Sequence, residues 1–291
     1  MKKRKQRKNE ELFKAIISFN TFLATITLCF VIFFILKESI PIFKAVSVKD
    51  FITGTKWNPL SNRADFSILP AILGSLYTSF IAILISVPLG IGAAIFICFY
   101  TSERFREAIK SIVQIIMGVP SVIFGFIGLM VLVSFFEKNL NMAAGECVLA
   151  GGIVLGIMTI PCVISTVVET MDKVREGYSI SSTVLGVSKS YMIKNLVLPV
   201  SKHGIFSGII LAFSRAIGET MAVMLVIGNS AILPKLFGRA QTIPALIALE
   251  MGSAEIGSMH YHALFASGLV LLVILLIINL IFYYFKSKWD Y

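Results

Sequence analysis

Six long apolar runs dominate this sequence, near residues 15–36, 70–99, 110–136, 147–170, 204–229 and 262–285. Each is long enough to cross the roughly 30 Å hydrocarbon core of a bilayer as a helix. No water is available there to satisfy backbone amides, so every run must close its own hydrogen bonds, and an all-α polytopic membrane protein with six transmembrane helices is the expected fold. Only 14% of the 291 residues are charged, against about 25% in a soluble domain. That shortage excludes an ordinary soluble enzyme. It also weakens a nucleic-acid binder, although a net charge of +10 would suit one.

The placement of the basic residues decides what that charge is for. An even number of spans puts both termini on one side. On that side fall seven Lys/Arg before span 1, three after span 2, five between spans 4 and 5 and two after span 6, making 17 against 8 opposite. By the positive-inside rule both termini are cytoplasmic. The chain then divides into a basic terminus that rests against membrane lipid (1–14), a first span (15–36), an extracytoplasmic segment (37–69), a core transmembrane domain (70–285) and a short cytoplasmic tail (286–291). Run 15–36 is too long for a signal-peptide core and ends in Lys37-Glu38 without a small-residue cleavage site, so it reads as a retained span. Segments 38–69 and 230–261 are long for connections and are expected to fold over the outer mouth.

Pro88, Pro120 and Pro161 interrupt spans 2 to 4. A proline in a spanning helix frees a carbonyl, which is tolerated where neighbours or water satisfy it. Kinked helices beside a solute path and purely structural kinks are both open readings. Cys29, Cys98, Cys147 and Cys162 have no metal-ligand spacing and read as inert thiols, and His260 and His262 lack a third ligand nearby, so no metal or cofactor is expected.

One basic residue, Arg215, escapes the topology count because it lies inside span 5. On an unbroken helix Gly204, Gly208, Ala212, Arg215, Glu219 and Ala222 share one small, charged face. A charge near the bilayer centre costs about 2.5–3.5 kcal/mol on insertion scales unless it is paired or lines water. Arg215 and Glu219 are four apart, so one reading is an internal ion pair that neutralises itself. The other is an anion path, with the guanidinium fork binding an oxyanion and Glu219 keeping the hold weak enough for release. Ser121 after Pro120 and Asn229 at the end of span 5 could donate to the same anion, with ordinary interhelical bonding as the alternative.

The loop 172–202 reads as two short helical stretches, 178–185 and 188–196, turning at Gly186, with Met192, Leu196 and Leu198 as apolar contacts for a soluble partner. It resembles the coupling loop of ABC importer permeases, in which a Glu-Ala-Ala triplet is followed after three residues by Gly and later by an apolar residue, any residue and Leu-Pro. Gly186, Leu196, Leu198 and Pro199 fit; Ile180-Ser181-Ser182 stands where Glu-Ala-Ala is usual. Trp57-Asn-Pro59, Gly118-Val-Pro-Ser-Val-Ile-Phe-Gly125 and Arg215-Ala-Ile-Gly-Glu-Thr-Met-Ala-Val223 are similar to the PstC-type permease of phosphate-specific importers, over about residues 13–285.

The resemblance implies the type I ABC importer permease fold and the transport of inorganic phosphate. It also implies a PstA-type second permease subunit, a PstB-type ATPase dimer and a PstS-type extracytoplasmic phosphate-binding protein. With it, Arg215 and Glu219, and Ser121 and Asn229 as possible donors, are read as lining the translocation path, and the resemblance puts Ser181, Ser182, Gly186, Met192, Leu196, Leu198 and Pro199 in the ATPase-coupling loop. The absence of a G-x-x-x-x-G-K-[ST] sequence agrees that ATP is bound by a partner and that this chain is not itself catalytic. Other readings are an importer for another oxyanion or a phosphonate and a self-contained anion carrier. An intramembrane enzyme would need more mid-membrane ionisable groups than Arg215 and Glu219.

Overall fold

A computed structural model describes residues 2–61, 64–140 and 142–289. The side chains of residues 2–12, Ile180, Thr183, Lys286, Ser287 and Trp289 lie outside that description, as do Asn62 and Arg63; the basic terminus and the departure at Ile180 fall among them. In chain order the helices are α1 Lys2–Ala45, α2 Val48–Thr53, α3 Leu69–Phe99, α4 Glu103–Met117, α5 Ser121–Ile127, α6 Ser134–Asn139, α7 Val148–Val184, α8 Lys189–Met192, α9 Leu198–Val200, α10 Lys202–Ile217, α11 Met221–Met224, α12 Ile243–Glu250 and α13 Met259–Trp289. Two π-helical stretches, Gly128–Val133 and Ile193–Val197, join α5 to α6 and α8 to α9, and a two-residue antiparallel pair, β1 Trp57–Asn58 with β2 Asp65–Phe66, lies between α2 and α3.

Among the described residues five helices are long and apolar enough to cross a membrane, and the pair Lys189–Val200 and Lys202–Ile217, bent by 64°, supplies a sixth crossing if counted as one span. The protein is therefore the all-α, polytopic protein that the apolar runs imply. Its centre is α7, against which α3 and α10 pack. Close approach is built on glycine: a Cβ on Gly152 would lie 2.5 Å from Ile81, and one on Gly90 would lie 2.6 Å from Val163. In the same way Gly204 and Gly208 bring α10 onto Thr170, Thr166 and Val167 of α7. The glycine end of the small face of span 5 is thus taken up by packing against α7. Helix α1 packs along α13, where Phe34 meets Phe265 edge to face, and otherwise shows its apolar side chains outward, as a lipid-facing helix must.

Several boundaries differ from the sequence reading. Pro88 and Pro161 leave α3 and α7 continuous, because each helix is held along its length by neighbours; only Pro120 coincides with a break. Lys110 sits not in a span but in α4, whose first turns carry Glu103, Arg104 and Glu107. At 37 residues α7 is about 55 Å long at 1.5 Å per residue, so its last turns project beyond the hydrocarbon. The stretch 178–185 is the end of that rod and not a separate helix.

Segments 38–69 and 230–261 pack together at one end of the bundle, burying Ile42, Phe51, Phe66, Ile68, Ile243, Leu246 and Leu264. Trp57 Nε1 donates to the Glu250 carboxylate at 3.0 Å, and the same carboxylate meets His260 Nε2 at 2.7 Å. His262 Nδ1 lies 2.9 Å from the Glu38 carbonyl oxygen. The tie between the two segments is thus Trp57 on Glu250, with His260 steadying the same carboxylate, while His262 ties the start of α13 to Glu38. Glu250→Ala leaves two partly buried donors without an acceptor and is expected to destabilise this cap by about 1–3 kcal/mol. A lower melting temperature, with faster proteolysis in the β1–β2 turn, is the expected result; an unchanged melt would show that the cap is held by its apolar cluster alone.

Candidate functional site

Two helix breaks, one at the entry to the span that begins at Ser121 and one at the end of α10, define the first candidate site. Helix α4 ends at Met117, where the Gly118 amide donates to the Gln114 and Ile115 carbonyls, and Pro120 cannot continue it, so the chain restarts as α5 at Ser121. Helix α10 ends at Ile217 and the chain restarts as α11 at Met221. The two restarts lie against each other: a Cβ on Gly125 would come within 2.8 Å of both the Cα and the carbonyl oxygen of Ala222. Broken spans leave amides and carbonyls free of the helical ladder, which a membrane accepts only in protein or along water.

Arg215 lies in the last turn of α10, where a cation suits the helix dipole. It is exposed, forms no ion pair among the described residues, and lies within electrostatic reach of Cys162 on α7. The expected pairing with Glu219 does not form. The helix stops at Ile217, so the four-residue spacing that would stack the two side chains is broken, and Glu219 Oε1 instead accepts from the Ala222 amide at 3.3 Å, capping α11. Arg215 is left with its full set of donors.

Ser121, half-buried at the start of α5, makes no side-chain hydrogen bond among the described residues, so its hydroxyl is available beside the same break. Asn229 is not placed as an anion donor. It follows Gly228 in a turn where both residues have positive φ, 86° and 46°, and its Nδ2 donates to the Met224 carbonyl at 2.7 Å. The atom left buried without a partner is Oδ1, an acceptor, which has the wrong polarity for an oxyanion.

The second candidate site is the knob at the end of α7. Gly186 has φ +65°, the left-handed conformation that a side chain disfavours, and there the chain reverses into α8. Met192 is buried with Ile193 and Val197 against α3, α7 and α10, and Leu196 and Leu198 pack partly onto the same cluster. These side chains hold the knob to the bundle instead of facing outward. Exposed instead are Val184 (81%), Leu185 (77%) and Tyr191, with Ser181 and Pro199 also at the surface and Ser182 buried, its hydroxyl donating to the Tyr178 carbonyl.

A polar network joins the end of α3 to α4 and to the projecting part of α7, and its basic members are ones that sequence alone marks only as cytoplasmic charges. Arg106 is buried and donates from Nε and Nη2 to the Ile97 and Cys98 carbonyls at the end of α3. Lys110 pairs with Asp172 at 2.8 Å, which holds its ammonium above the ordinary lysine value, and Arg175 lies 3.8 Å from the same carboxylate. A basic residue shortly beyond a helix end, as Arg106 stands seven places beyond Phe99, is the signal that could have suggested carbonyl capping.

Comparison with known proteins matches residues 86–291 to the family described as "Binding-protein-dependent transport system inner membrane component". Among curated relatives, the "Probable phosphate transport system permease protein PstC" of Methanocaldococcus jannaschii is 33% identical over 95% of this chain and 93% of its own length. The "Phosphate transport system permease protein PstC" of Mesorhizobium japonicum is 35% identical over 82% and 79%, and the "Probable ABC transporter permease protein YqgH" of Bacillus subtilis 33% over 84% and 79%. Solved structures share the fold at low identity. A bacterial ABC transporter that imports alginate superposes with a TM-score of 0.54 at 17% identity, covering 96% of this chain and 99% of that one. The methionine ABC transporter MetNI, in an inward-facing form, superposes with 0.55 at 11% identity, covering 76% and 94%.

Proposed function

This chain belongs to the binding-protein-dependent transport system inner membrane components, and on that premise we propose that it forms half of the path by which an ATP-driven importer takes up inorganic phosphate. It is a multi-pass plasma-membrane permease, and permeases of this family work with a second permease, ATPase subunits and a substrate-binding protein. The finer reading is that these are a PstA-type permease, two PstB-type ATPases and a PstS-type binding protein. The Trp57–Glu250 cap faces the binding protein, the Gly186 knob faces the ATPase in the cytoplasm, and ATP hydrolysis is left to the partner.

Arg215 carries this reading. An unpaired guanidinium at a helix break inside a span is costly unless it meets water or an anion, and its planar fork matches two oxygens of a phosphate. Glu219 stands four residues on and opposes a second negative charge, which limits how tightly the anion is held. Ser121 adds a neutral donor. Phosphate itself is favoured over other oxyanions by the relatives that resemble this chain over most of its length. Uptake of labelled phosphate by cells with and without this gene tests it. Uptake is expected to fall on deletion, with arsenate competing and sulfate not; equal competition by sulfate would replace phosphate with oxyanions at large.

A further inference from the structure

The segment that follows α11 is laced to the start of α7. The amides of Cys147, Val148 and Leu149 open that helix and have no preceding turn to donate to; the carbonyls of Val226, Gly238 and Leu236 take them at 3.2, 3.0 and 3.0 Å. Across the Gly228-Asn229 turn, the Ala240 amide donates to the Ile227 carbonyl and the Ala240 carbonyl accepts from Ser230. Arg239 reaches back over this lacing, with Nη2 3.2 Å from Glu146 Oε2 just ahead of α7. Its aliphatic stem covers Gly228, where a Cβ would come within 2.5 Å of Arg239 Cγ. Glycine is therefore needed at position 228 twice, for a φ of 86° and for the arginine stem above it.

This turn also closes α11. Asn229 Nδ2 donates to the Met224 carbonyl at 2.7 Å, so the helix is capped at its end by Asn229 as it is at its start by Glu219 on the Ala222 amide. A single helical turn does not hold itself in place, so the two caps and the seat on Gly125 set where α11 lies. Val226, Ile227 and Ala240 are fully buried, which keeps the segment folded whatever stands at position 239. An exposed ion pair contributes little on its own; this one acts through the turn that its arginine covers. We propose that Arg239, held by Glu146, is a positioning residue for the transport path: it fixes the Gly228-Asn229 turn, through that turn α11, and through α11 the place of the Glu219 carboxylate relative to Arg215. The inference rests on the reading of Arg215 and Glu219 as the anion path. Arg239 does not itself meet the anion. With the far end of α11 released, Glu219 opposes bound phosphate less well, so losing the pair resembles a partial loss of the Glu219 charge.

The test uses the full chain assembled with its partner subunits in proteoliposomes. It reads the initial rate of labelled phosphate uptake and the rate at which bound labelled phosphate is released in a chase, at equal amounts of assembled complex. Arg239→Gln and Glu146→Gln are each expected to slow both rates by about three- to tenfold, in the direction expected of Glu219→Gln. Arg239→Lys keeps an aliphatic stem over Gly228 and a cation for Glu146, so it should recover most of the loss. In a Glu219→Gln background Arg239→Gln should add nothing, because the charge it positions is already gone; an arginine that only stabilised the fold would lower the rates further there. Glu146→Gln leaves the Arg239 side chain intact, so it carries the test if Arg239→Gln disturbs assembly. Unchanged rates in both Gln variants, or full additivity with Glu219→Gln, would overturn the proposal. Arg215→Ala measured alongside separates two failures: wild-type transport there removes the anion path itself, whereas a loss there with unaltered Glu146 and Arg239 variants removes only the positioning role.

Discussion

Arg215→Ala is expected to lower phosphate transport by about 10- to 150-fold while the permease still assembles with its partners. The lower and upper values correspond to about 1.5–3 kcal/mol for a charge-assisted hydrogen bond in the path. Assembly is spared because Arg215 is exposed and anchors no described contact; the packing of α10 rests on Gly204, Gly208, Ala212 and Ala216. Arg215→Lys keeps the charge but loses the planar fork, so an intermediate loss is expected. Glu219→Gln separates the two roles of the carboxylate. The amide oxygen still accepts from Ala222 and preserves α11, whereas the charge that opposes tight anion binding is gone. That variant should hold phosphate more strongly and release it more slowly. Initial rates of labelled phosphate uptake in proteoliposomes, at equal amounts of assembled complex, decide the matter. If Arg215→Ala transported at the wild-type rate, the guanidinium would be a helix-end cation and nothing more.

The parts of this arrangement that sequence made legible share one cause. Hydrophobic length and charge placement act residue by residue, so the apolar runs, the single basic residue left inside a span and the turn at Gly186 could all be read without a structure. What could not be read depends on contacts between distant segments. Gly218 is a local stop signal, but Gly218-Glu219-Thr220 carries no proline and glycines also occur within this span; what fixes the break at Ile217 is Glu219 on Ala222 and the seat of α11 against Gly125. Helical spacing beyond Ile217 therefore misplaced Glu219 beside Arg215. The same limit applies to Asn229, whose donor is taken by Met224 in a turn that two successive positive-φ residues create. Apolar periodicity in the loop likewise marks which side chains avoid water without saying whether the bundle or a partner covers them. Met192 went inward because α3, α7 and α10 present a ready apolar surface at that end.

That distinction makes the strongest test of the knob. A double variant, Val184→Ser with Leu185→Asp, is expected to abolish coupling: ATPase bound to the permease should fall at least 30-fold, and transport should fall with it. Buried anchors at protein interfaces often contribute 2 kcal/mol or more each, and a carboxylate placed at such a contact adds an uncompensated charge. Both side chains are almost fully exposed in the isolated chain, so their replacement removes no packing within it. The permease should therefore melt at its usual temperature. Met192→Ala should behave in the opposite way. Its side chain is buried among Ile193, Val197 and the ends of three helices, so truncation leaves a cavity and costs about 2–5 kcal/mol of permease stability. Any loss of ATPase binding there should track unfolding of the knob. Pull-down of the ATPase, set beside the melting temperature of each variant, separates surface from support. A double variant that kept the ATPase bound would mean that docking uses other exposed side chains at this end, among them Tyr178, Tyr191 and Val200.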